Sequence, residues 1–405
     1  MRKLLVIICL LLAWQAATAQ SDSLRMGFTV QGTVVDLATG RPLESVHVSI
    51  PGLHQATVTN ADGFFILKSH RPIREIICSY LGYRSQRVKP GEGLLKVALQ
   101  RETLSLQEAS IISGDARDIV EAAVSRLQDT YCTEPQLLEC FYRETLQKRN
   151  RYTYVAEAVA RLYKSAYNGY IVGDAAALEK SRVLVSQRRS DTLSVKFQGG
   201  PNMALSMDVL KNKEVLFDDG ELNLYRFEML PAAYINDRLQ FVVKMSPNAM
   251  ADYALYHCVV YIDRELLTFT RVEASLDMAD KAKATRVMLV SKPFSLRFFP
   301  EECSLVLNYR LENGKTRLEY CRSTIRFACD WRKRLFRTHY TAVNELVVTD
   351  VRPDAIPIPR KERFRSHDFL PDQAAFFYDP AFWADYNIIE PSESLEHAIK
   401  RLRKN

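Results

Sequence analysis

The seven histidines come first, because a metal centre or a general base would most readily use them. None is followed by glutamate three residues later, and the sequence contains no His-Glu-x-x-His. The two zinc-binding motifs His-x-x-Glu and His-Glu-x-x-His are therefore both absent from the sequence. His47 alternates with apolar residues in a predicted strand, which is typical of a packed histidine. The seven are His47, His54, His70, His257, His339, His367 and His397.

Other catalytic and binding signatures are equally scarce. The sequence has no Gly-x-Ser-x-Gly, no phosphate-binding Walker loop and no dinucleotide-binding glycine fingerprint. Asp62-Gly63 could be a calcium turn, but a calcium site needs six or more oxygens, and Asn60 and Asp62 are the only nearby donors. We therefore predict a tight turn there. For the whole chain we predict no catalytic residues, no metal ligands, no cofactor and no enzymatic activity.

The cysteines are scattered and form no Cys-x-x-Cys pair, so a disulfide scaffold or zinc knuckle is not indicated. Cys132 with Cys140, and Cys321 with Cys329, are the two pairs near enough in sequence to be neighbours. Buried free thiols are the main expectation. Beyond Cys9, the seven are Cys78, Cys132, Cys140, Cys258, Cys303, Cys321 and Cys329.

An aromatic cluster near the end of the chain is the best candidate for ligand contact. It runs from Phe376 to Asn387 and includes Phe377, Trp383 and Tyr386. Aromatic rings flanked by acids can bind a sugar or a peptide. Packing of this tail onto the rest of the protein is the simpler interpretation and the one we favour.

The first 19 residues predict a secretory signal peptide. Arg2 and Lys3 form its basic start, Leu4–Trp14 its apolar centre and Ala17–Ala19 its cleavage site. The apolar run of about a dozen residues is shorter than the roughly 20 that span a bilayer. We expect an exported protein that begins near Gln20 and lies in the periplasm or on the periplasmic face of the outer membrane.

Charge adds little to this. The chain carries 55 basic and 48 acidic residues. Without the two basic residues of the leader the difference is 53 − 48, or +5. That is too small an excess to indicate nucleic-acid binding.

Residues 26–100 predict a small β-sandwich, because short alternating strands recur between turn residues. Gly40, Pro42, Gly52 and Gly63 provide the turns. The predicted strands are 28–35, 45–50, 56–59, 64–67, 73–80 and 94–99.

The same residues carry a family resemblance. Val30–Asp36, Gly40–Leu43, Val46–Ile50, Thr59–Phe65 and Ser79–Tyr83 resemble the blocks of the carboxypeptidase regulatory-like domain, in order and at its spacing. The resemblance implies an immunoglobulin-like or transthyretin-like sandwich. It also implies an accessory module without a peptidase centre, common at the start of exported proteins and TonB-dependent receptors of Bacteroidota-type bacteria.

Residues 101–114 are expected to form a linker, and residues 115–352 an antiparallel β domain. Apolar spacing predicts a helix over 115–131, while aromatic content favours strands over 140–147 and 152–163. A polar stretch near 165–205 is expected to be mobile, with a short helix in 202–211. The predicted meander that follows has strands at 223–229, 239–246, 253–262, 267–277, 282–292, 302–311, 315–329 and 335–350. Asn313-Gly314 is its strongest hairpin signal.

A second, weaker resemblance covers residues 215–350. Tyr256–Asp263 followed by Leu266–Glu273 is similar to the strand repeat of the outer-membrane lipoprotein carrier fold. That fold is a curved half-barrel around a helix, with an apolar cavity. Residues 353–405 are expected to add a proline-rich connector, the aromatic tail and a helix over about 393–404.

We therefore expect a mainly β protein with some helix: a sandwich followed by a half-barrel-like sheet with covering helices. The leading functional interpretation is a non-catalytic envelope protein whose second domain binds an apolar, lipid-like ligand or a protein partner. One alternative is an accessory of an outer-membrane transport or assembly system. The other is a hydrolase of envelope polymers. We expect no nucleic-acid partner and no membrane span after leader cleavage.

Overall fold

A computed structural model describes residues 27–102, 115–167, 173–188, 198–312, 314–331, 337–352, 354–373 and 383–404. The predicted leader, nearly all of the linker at 101–114, and Phe377 lie outside these ranges. Within them, no helix is long and apolar enough to cross a membrane.

The first domain is the predicted sandwich of two small sheets. One sheet has the strand order β4-β1-β7 and the other β3-β2-β5-β6. Val34, Val48, Phe65 and Ile76 are fully buried between them, because alternate residues of a strand point to the same face. The strands are β1 Phe28–Asp36, β2 His47–Ser49, β3 Ala56–Val58, β4 Phe64–Ser69, β5 Ile76–Ser79, β6 Gln86–Val88 and β7 Leu95–Leu99.

The turn at 60–63 is a tight structural turn, as predicted. Asn60 Oδ1 accepts hydrogen bonds from the backbone N–H of Asp62 and of Phe64, at 2.9 and 3.0 Å. Gly63 has a φ of 71°, and a Cβ there would lie 2.5 Å from the carbonyl oxygen of Val34. Only glycine fits without moving the backbone.

Replacing Gly63 with alanine should therefore destabilise the sandwich. The left-handed backbone alone costs about 1–3 kcal/mol, and the overlap with the Val34 carbonyl adds to it. Gly40→Ala is the matched control, since Gly40 has a φ of 66° with nothing within 4 Å of its Cβ position. Urea unfolding should show the larger loss at Gly63; equal losses would contradict the steric argument.

The second domain is one antiparallel sheet of ten strands in the order β10-β9-β8-β17-β16-β15-β14-β13-β12-β11. The predicted strands at 140–147 and 152–163 are confirmed as parts of β8 and β9. The ten strands are β8 Gln136–Lys148, β9 Arg151–Lys164, β10 Ala175–Val185, β11 Tyr225–Ile235, β12 Arg238–Pro247, β13 Tyr256–Asp263, β14 Phe269–Leu276, β15 Leu296–Glu312, β16 Lys315–Trp331 and β17 Thr338–Arg352.

Within the described residues, seven short α-helices accompany this sheet, together with 3₁₀ helices at Lys213–Val215 and Arg360–Glu362. The α-helices are α1 Ala116–Ser125, α2 Leu127–Thr130, α3 Asn202–Ser206, α4 Asp219–Leu222, α5 Lys281–Met288, α6 Leu370–Gln373 and α7 Glu393–Lys404. Asp115 caps α1 through its side chain. The expected helix within 202–211 is present as α3, and α7 matches the prediction for the C-terminus.

The predicted strand at 282–292 is wrong, because residues 281–288 form α5. Asp280 caps this helix by accepting hydrogen bonds from the backbone N–H of Ala282 and Lys283, at 2.9 and 3.0 Å. The segment Lys281–Thr285 also contains strong helix formers. The apolar residues Val287–Val290 suggested a strand, but the cap and these residues outweigh them.

One face of the large sheet is covered by helix α1 and by the segment that follows α3, which form an apolar core with it. Ile119 and Val120 of α1, with Phe217 and Leu222 from the segment after α3, pack against buried sheet residues such as Phe269. An ion pair also anchors the segment after α3 to the sheet, because Lys164 Nζ lies 2.6 Å from Asp208. Asp208 also accepts hydrogen bonds from the hydroxyls of Tyr167 and Tyr309. Side chains of the protein thus cover this face of the sheet, on which an apolar cavity was expected.

A second buried polar group lies in this core. Glu144 is fully buried and accepts hydrogen bonds from the hydroxyls of Tyr142, at 2.8 Å, and Tyr154. Burial raises the pKa of Glu144 to about 7, although the two tyrosine hydrogen bonds oppose the shift. Glu144 is therefore protonated in the folded state at mildly acidic pH.

The opposite face of the sheet is crossed by residues 383–404, which we call the C-terminal strap. Beneath it, Glu157 is fully buried between Arg143 and Arg182, whose Nε atoms lie 2.7 and 2.6 Å from its two carboxylate oxygens. Arg143 also donates a hydrogen bond to the backbone oxygen of Ile389 in the strap, at 2.6 Å. The ion-pair triad thus joins the sheet to the strap.

The C-terminal strap also closes the edge of β4 in the sandwich. The side-chain amide of Asn387 accepts a hydrogen bond from the N–H of Lys68 at 2.7 Å and donates one to its carbonyl at 3.0 Å. Asn387 thereby takes the place of a neighbouring strand. Thr57 donates a hydrogen bond to the backbone oxygen of Ile388 at 2.9 Å, so the strap links both domains.

All seven cysteines of the described chain are free thiols. Cys78, Cys140, Cys258, Cys321 and Cys329 are buried, which confirms the main expectation for the thiols. Burial raises the pKa of Cys258 to about 12, so this thiol stays protonated and unreactive.

Candidate functional site

A cleft of about 730 Å³ lies between the sandwich and the large sheet. One side is the outer face of the β3-β2-β5-β6 sheet; the other is formed by the ends of two hairpins, β11–β12 and β15–β16. Clefts between domains are frequent ligand-binding sites. The lining residues are His47, Ser49, Ile77, Ser79, Arg84, Ser85, Arg87, Glu102, Tyr234, Asn236, Asp237, Arg310, Leu311 and Glu319.

Strand register places the sandwich residues on a single face. His47 pairs with Ser79, Ser49 with Ile77, and Ile77 with Arg87 across three adjacent strands. Residues directly opposite each other in neighbouring strands share a face. Mainly polar side chains, with Ile77 among them, thus cover this side of the cleft.

The β11–β12 hairpin supplies part of the other side. Asn236 and Asp237 have φ values of 52° and 59°, as the tight turn of a two-residue hairpin requires. Asp237 Oδ1 accepts a hydrogen bond from the N–H of Ser85 at 2.7 Å, and Tyr234 accepts one from Gly82 at 2.9 Å. The hairpin therefore fixes the sandwich loop at one end of the cleft.

Glu319 is the most buried charge in the cleft. Its carboxylate lies 2.8 Å from His47 Nε2 and 3.5 Å from Arg310. Burial alone would raise the pKa of Glu319, but the charges of His47, Arg310 and Arg317 outweigh burial and hold it at about 2. Glu319 is thus ionised at neutral pH and joins the two domains through His47.

The two arginines contributed by the sandwich are paired as well. Arg84 bonds to Glu102 at 3.0 Å, and Arg87 bonds to Glu75 at 3.0 Å. Both guanidinium groups stay largely exposed, at 67% and 64% of the side chain. The cleft can therefore offer hydrogen bonds to a ligand without a large net charge.

Strand β6 borders the cleft and is the last strand of its sheet. It pairs with β5 on one side, and no strand of the described chain pairs with its other side. Such an edge can accept a strand from another polypeptide. The far edge of the same sheet, β3, lies instead against β17.

The arrangement offers hydrogen bonding rather than an evident reaction centre. His47 is committed to Glu319, and Ser49 is nearly fully buried. Within the described ranges, no three His, Cys, Asp or Glu side chains converge as a metal site requires.

The structure places two of the three aromatic candidates, Trp383 and Tyr386, away from this cleft. Trp383 packs edge-on against Phe141, with ring centroids 5.8 Å apart, and stacks on the guanidinium of Arg182. Tyr386 packs with the same apolar cluster beneath the strap. Trp383 and Tyr386 therefore pack the tail onto the sheet, which was the interpretation favoured from the sequence.

The cleft residues were missed in the sequence. Arg84, Arg87 and Asp237 lie in turns or short strands, where a charged residue normally faces solvent. Glu319 and His47 are 272 residues apart in sequence, and no local pattern signals their pairing. The Asn236-Asp237 turn is the one local signal that could have marked the hairpin end.

Comparison with protein families identifies residues 30–111 as a CarboxypepD_reg-like domain. This confirms the regulatory-like resemblance seen in residues 28–100. Among curated proteins, none matches the chain.

Solved structures show remote similarity over the larger part of the chain. An outer membrane lipoprotein-sorting domain from Vibrio parahaemolyticus is 14% identical, covering 58% of this chain and 91% of its own, with a TM-score of 0.28. A DUF1329 family protein from Desulfovibrio piger is 10% identical, with coverages of 60% and 94% and a TM-score of 0.24. A LolA superfamily protein from Nitrosomonas europaea is 12% identical, with coverages of 62% and 100% and a TM-score of 0.18. None of these values assigns a function.

Proposed function

We propose that this protein is an exported, non-catalytic binding protein of the cell envelope that holds an extended segment of a partner protein in the cleft between its domains. One observation carries the proposal: a polar cleft of about 730 Å³ opens beside the edge strand β6, which pairs with β5 on one side and with no strand of the described chain on the other. A polypeptide added to such an edge gains backbone hydrogen bonds, and side pockets provide selectivity.

The covered face of the large sheet supports a protein partner over a lipid-like ligand. A carrier of apolar ligands needs an enclosed apolar cavity, whereas this face of the sheet is covered by α1 and the segment 208–222. The cleft itself is lined mainly by polar and charged residues. A partner segment with its own backbone donors and acceptors suits this lining better than an acyl chain does.

The hydrolase alternative has one supporting feature, the His47–Glu319 pair in the cleft. A general base needs an acceptor nitrogen and a nucleophile or water within hydrogen-bond reach. Here the carboxylate of Glu319 interacts with arginines as well as with His47. This arrangement suits an ion-pair contact that stabilises the domain interface. Export of the protein follows from the leader predicted at residues 1–19, and an outer-membrane transport or assembly component is the partner class we favour.

Photo-cross-linking tests the cleft directly. A photoreactive residue in place of Arg87 should capture one discrete protein in envelope fractions. A second change, Ser79→Tyr, fills the cleft and should lower that yield about tenfold, because the bound segment loses its space. The same bulky change at an exposed sheet position, Lys244→Tyr, is the control and should leave the yield unchanged.

Two results would contradict the proposal. Cross-linking that Ser79→Tyr leaves unchanged would place the partner outside the cleft. A lipid-sized mass retained by the protein in native mass spectrometry, and lost on denaturation, would favour the apolar-carrier alternative.

A further inference from the structure

The end of the large sheet farthest from the cleft carries an exposed apolar surface. Five large apolar side chains are exposed there, from two segments that we call the apolar knob, residues 250–253 and 287–294. They are Met250 at 98%, Val290 at 86%, Phe294 at 85%, Val287 at 45% and Tyr253 at 45%. Five such residues at one end of a domain are an unusual concentration for a water-facing surface.

The knob is a defined structure. Lys283 donates a hydrogen bond to the backbone oxygen of Ala251 at 2.6 Å. Arg286 donates one to the backbone oxygen of Asp252 at 2.9 Å. On its inner side, Ala284 of α5 is fully buried against Ala254 and Leu276. The two segments are therefore joined and anchored to the sheet, while their large apolar side chains point to solvent.

Basic residues surround the knob, and their charges are available to a ligand. Lys281, Lys283, Arg286 and Lys292 each donate a hydrogen bond to a backbone carbonyl oxygen, and none of the four forms an ion pair among the described residues. Arg297 is also exposed. The nearby acids are Asp252, Asp277, Asp280, Glu221 and Asp330. Asp277 and Asp280 accept hydrogen bonds from backbone N–H groups, Glu221 accepts one from the hydroxyl of Tyr253, and Asp330 lies opposite Arg297 in the neighbouring strand.

We propose that the apolar knob docks the protein onto a membrane surface that contains anionic lipids. Exposed apolar side chains ringed by lysine and arginine match the boundary between acyl chains and negative headgroups. Each basic residue near such a surface adds electrostatic attraction, while long cationic side chains can extend towards the phosphates. A soluble protein partner would not require five cations around the apolar centre.

The position of the knob fits with a cleft that stays accessible. Strand β12, Arg238–Pro247, starts at the cleft hairpin and ends next to the knob. Ten residues of strand span about 30 Å. A knob resting on the bilayer would hold the cleft about that far from the headgroups, open to a partner. The proposed docking of the apolar knob onto a membrane does not depend on whether the cleft binds a partner.

Vesicle flotation of the mature chain, beginning near Gln20, tests the proposal. The protein should float with vesicles of phosphatidylethanolamine and phosphatidylglycerol, and added salt should weaken the binding. The double variant Val290→Ser/Phe294→Ser should lose roughly tenfold or more in affinity, because it removes two apolar insertions. Ile356→Ser is the matched control, exposed at 68% elsewhere on the protein, and should bind like the unchanged chain.

A second variant tests the basic ring separately. Lys292→Glu/Arg297→Glu should reduce binding to the anionic vesicles and leave binding to phosphatidylcholine vesicles unchanged. The proposal fails if the unchanged chain does not float with anionic vesicles, or if the serine variant floats equally well. It also fails if analytical ultracentrifugation without lipid shows a dimer that the serine variant loses, since a second copy would then cover the knob.

Discussion

Replacing Glu157 with glutamine is expected to lower the free energy of unfolding by about 3–5 kcal/mol. The substitution keeps the shape of the side chain and removes its charge. Arg143 and Arg182 are then left in the interior, at 5% and 7% exposure, without their shared carboxylate. A buried cation without a counter-ion costs far more than the ion pair itself contributes.

Urea unfolding of Glu157→Gln, compared with Glu228→Gln, measures this effect. Glu228 pairs with Lys244 at 3.5 Å, and both side chains are about half exposed. An exposed pair of this kind contributes about 0–1 kcal/mol. A loss at Glu157 no larger than the loss at Glu228 would mean that water reaches the triad beneath the strap.

Glu144→Gln is expected to stabilise the protein, and the gain depends on pH. The pKa of Glu144 is about 7 in the folded protein against 4.5 as a free side chain. Between these values the unfolded chain releases a proton that the folded protein keeps, so stability falls as pH rises. At about pH 8 the native carboxyl costs about 3 kcal/mol, while below about pH 4.5 the cost vanishes.

Unfolding measured at about pH 5 and about pH 8 should therefore show a gain for Glu144→Gln chiefly at the higher value. Tyr154→Phe is the companion variant. It removes a hydrogen bond that lowers the pKa of Glu144, so the loss of stability should move to higher pH. An unchanged pH profile in both variants would show that Glu144 is solvated in the folded state.

Local patterns were sufficient for most of the strands. Alternation and turn residues located the sandwich, the strands β8 and β9 and much of the meander, because those signals depend on neighbours along the chain. The error at α5 has the same origin. Val287–Val290 suggested a strand, whereas an Asp280 cap and the preceding helix formers determined the structure.

The candidate site was beyond such patterns. His47 meets Glu319, and Ser85 meets Asp237 across 152 residues, so these contacts exist only after two domains have docked. The sequence likewise did not reveal that one face of the large sheet is covered by the segment 208–222. The segment 208–222 contains apolar residues and aspartates in a mixed order, and the buried Lys164–Asp208 pair joins parts 44 residues apart.

The two hydrogen bonds between Lys68 and Asn387 also set an order of events during synthesis. The two residues are 319 positions apart, and at 5–20 residues per second the ribosome needs roughly 15–60 s to cover that distance. Throughout that interval the sandwich can fold, but the edge of β4 lacks its cover. An uncovered strand edge pairs readily with other chains. The edge of β4 is therefore open to pairing with other chains until the residues around Asn387 reach it.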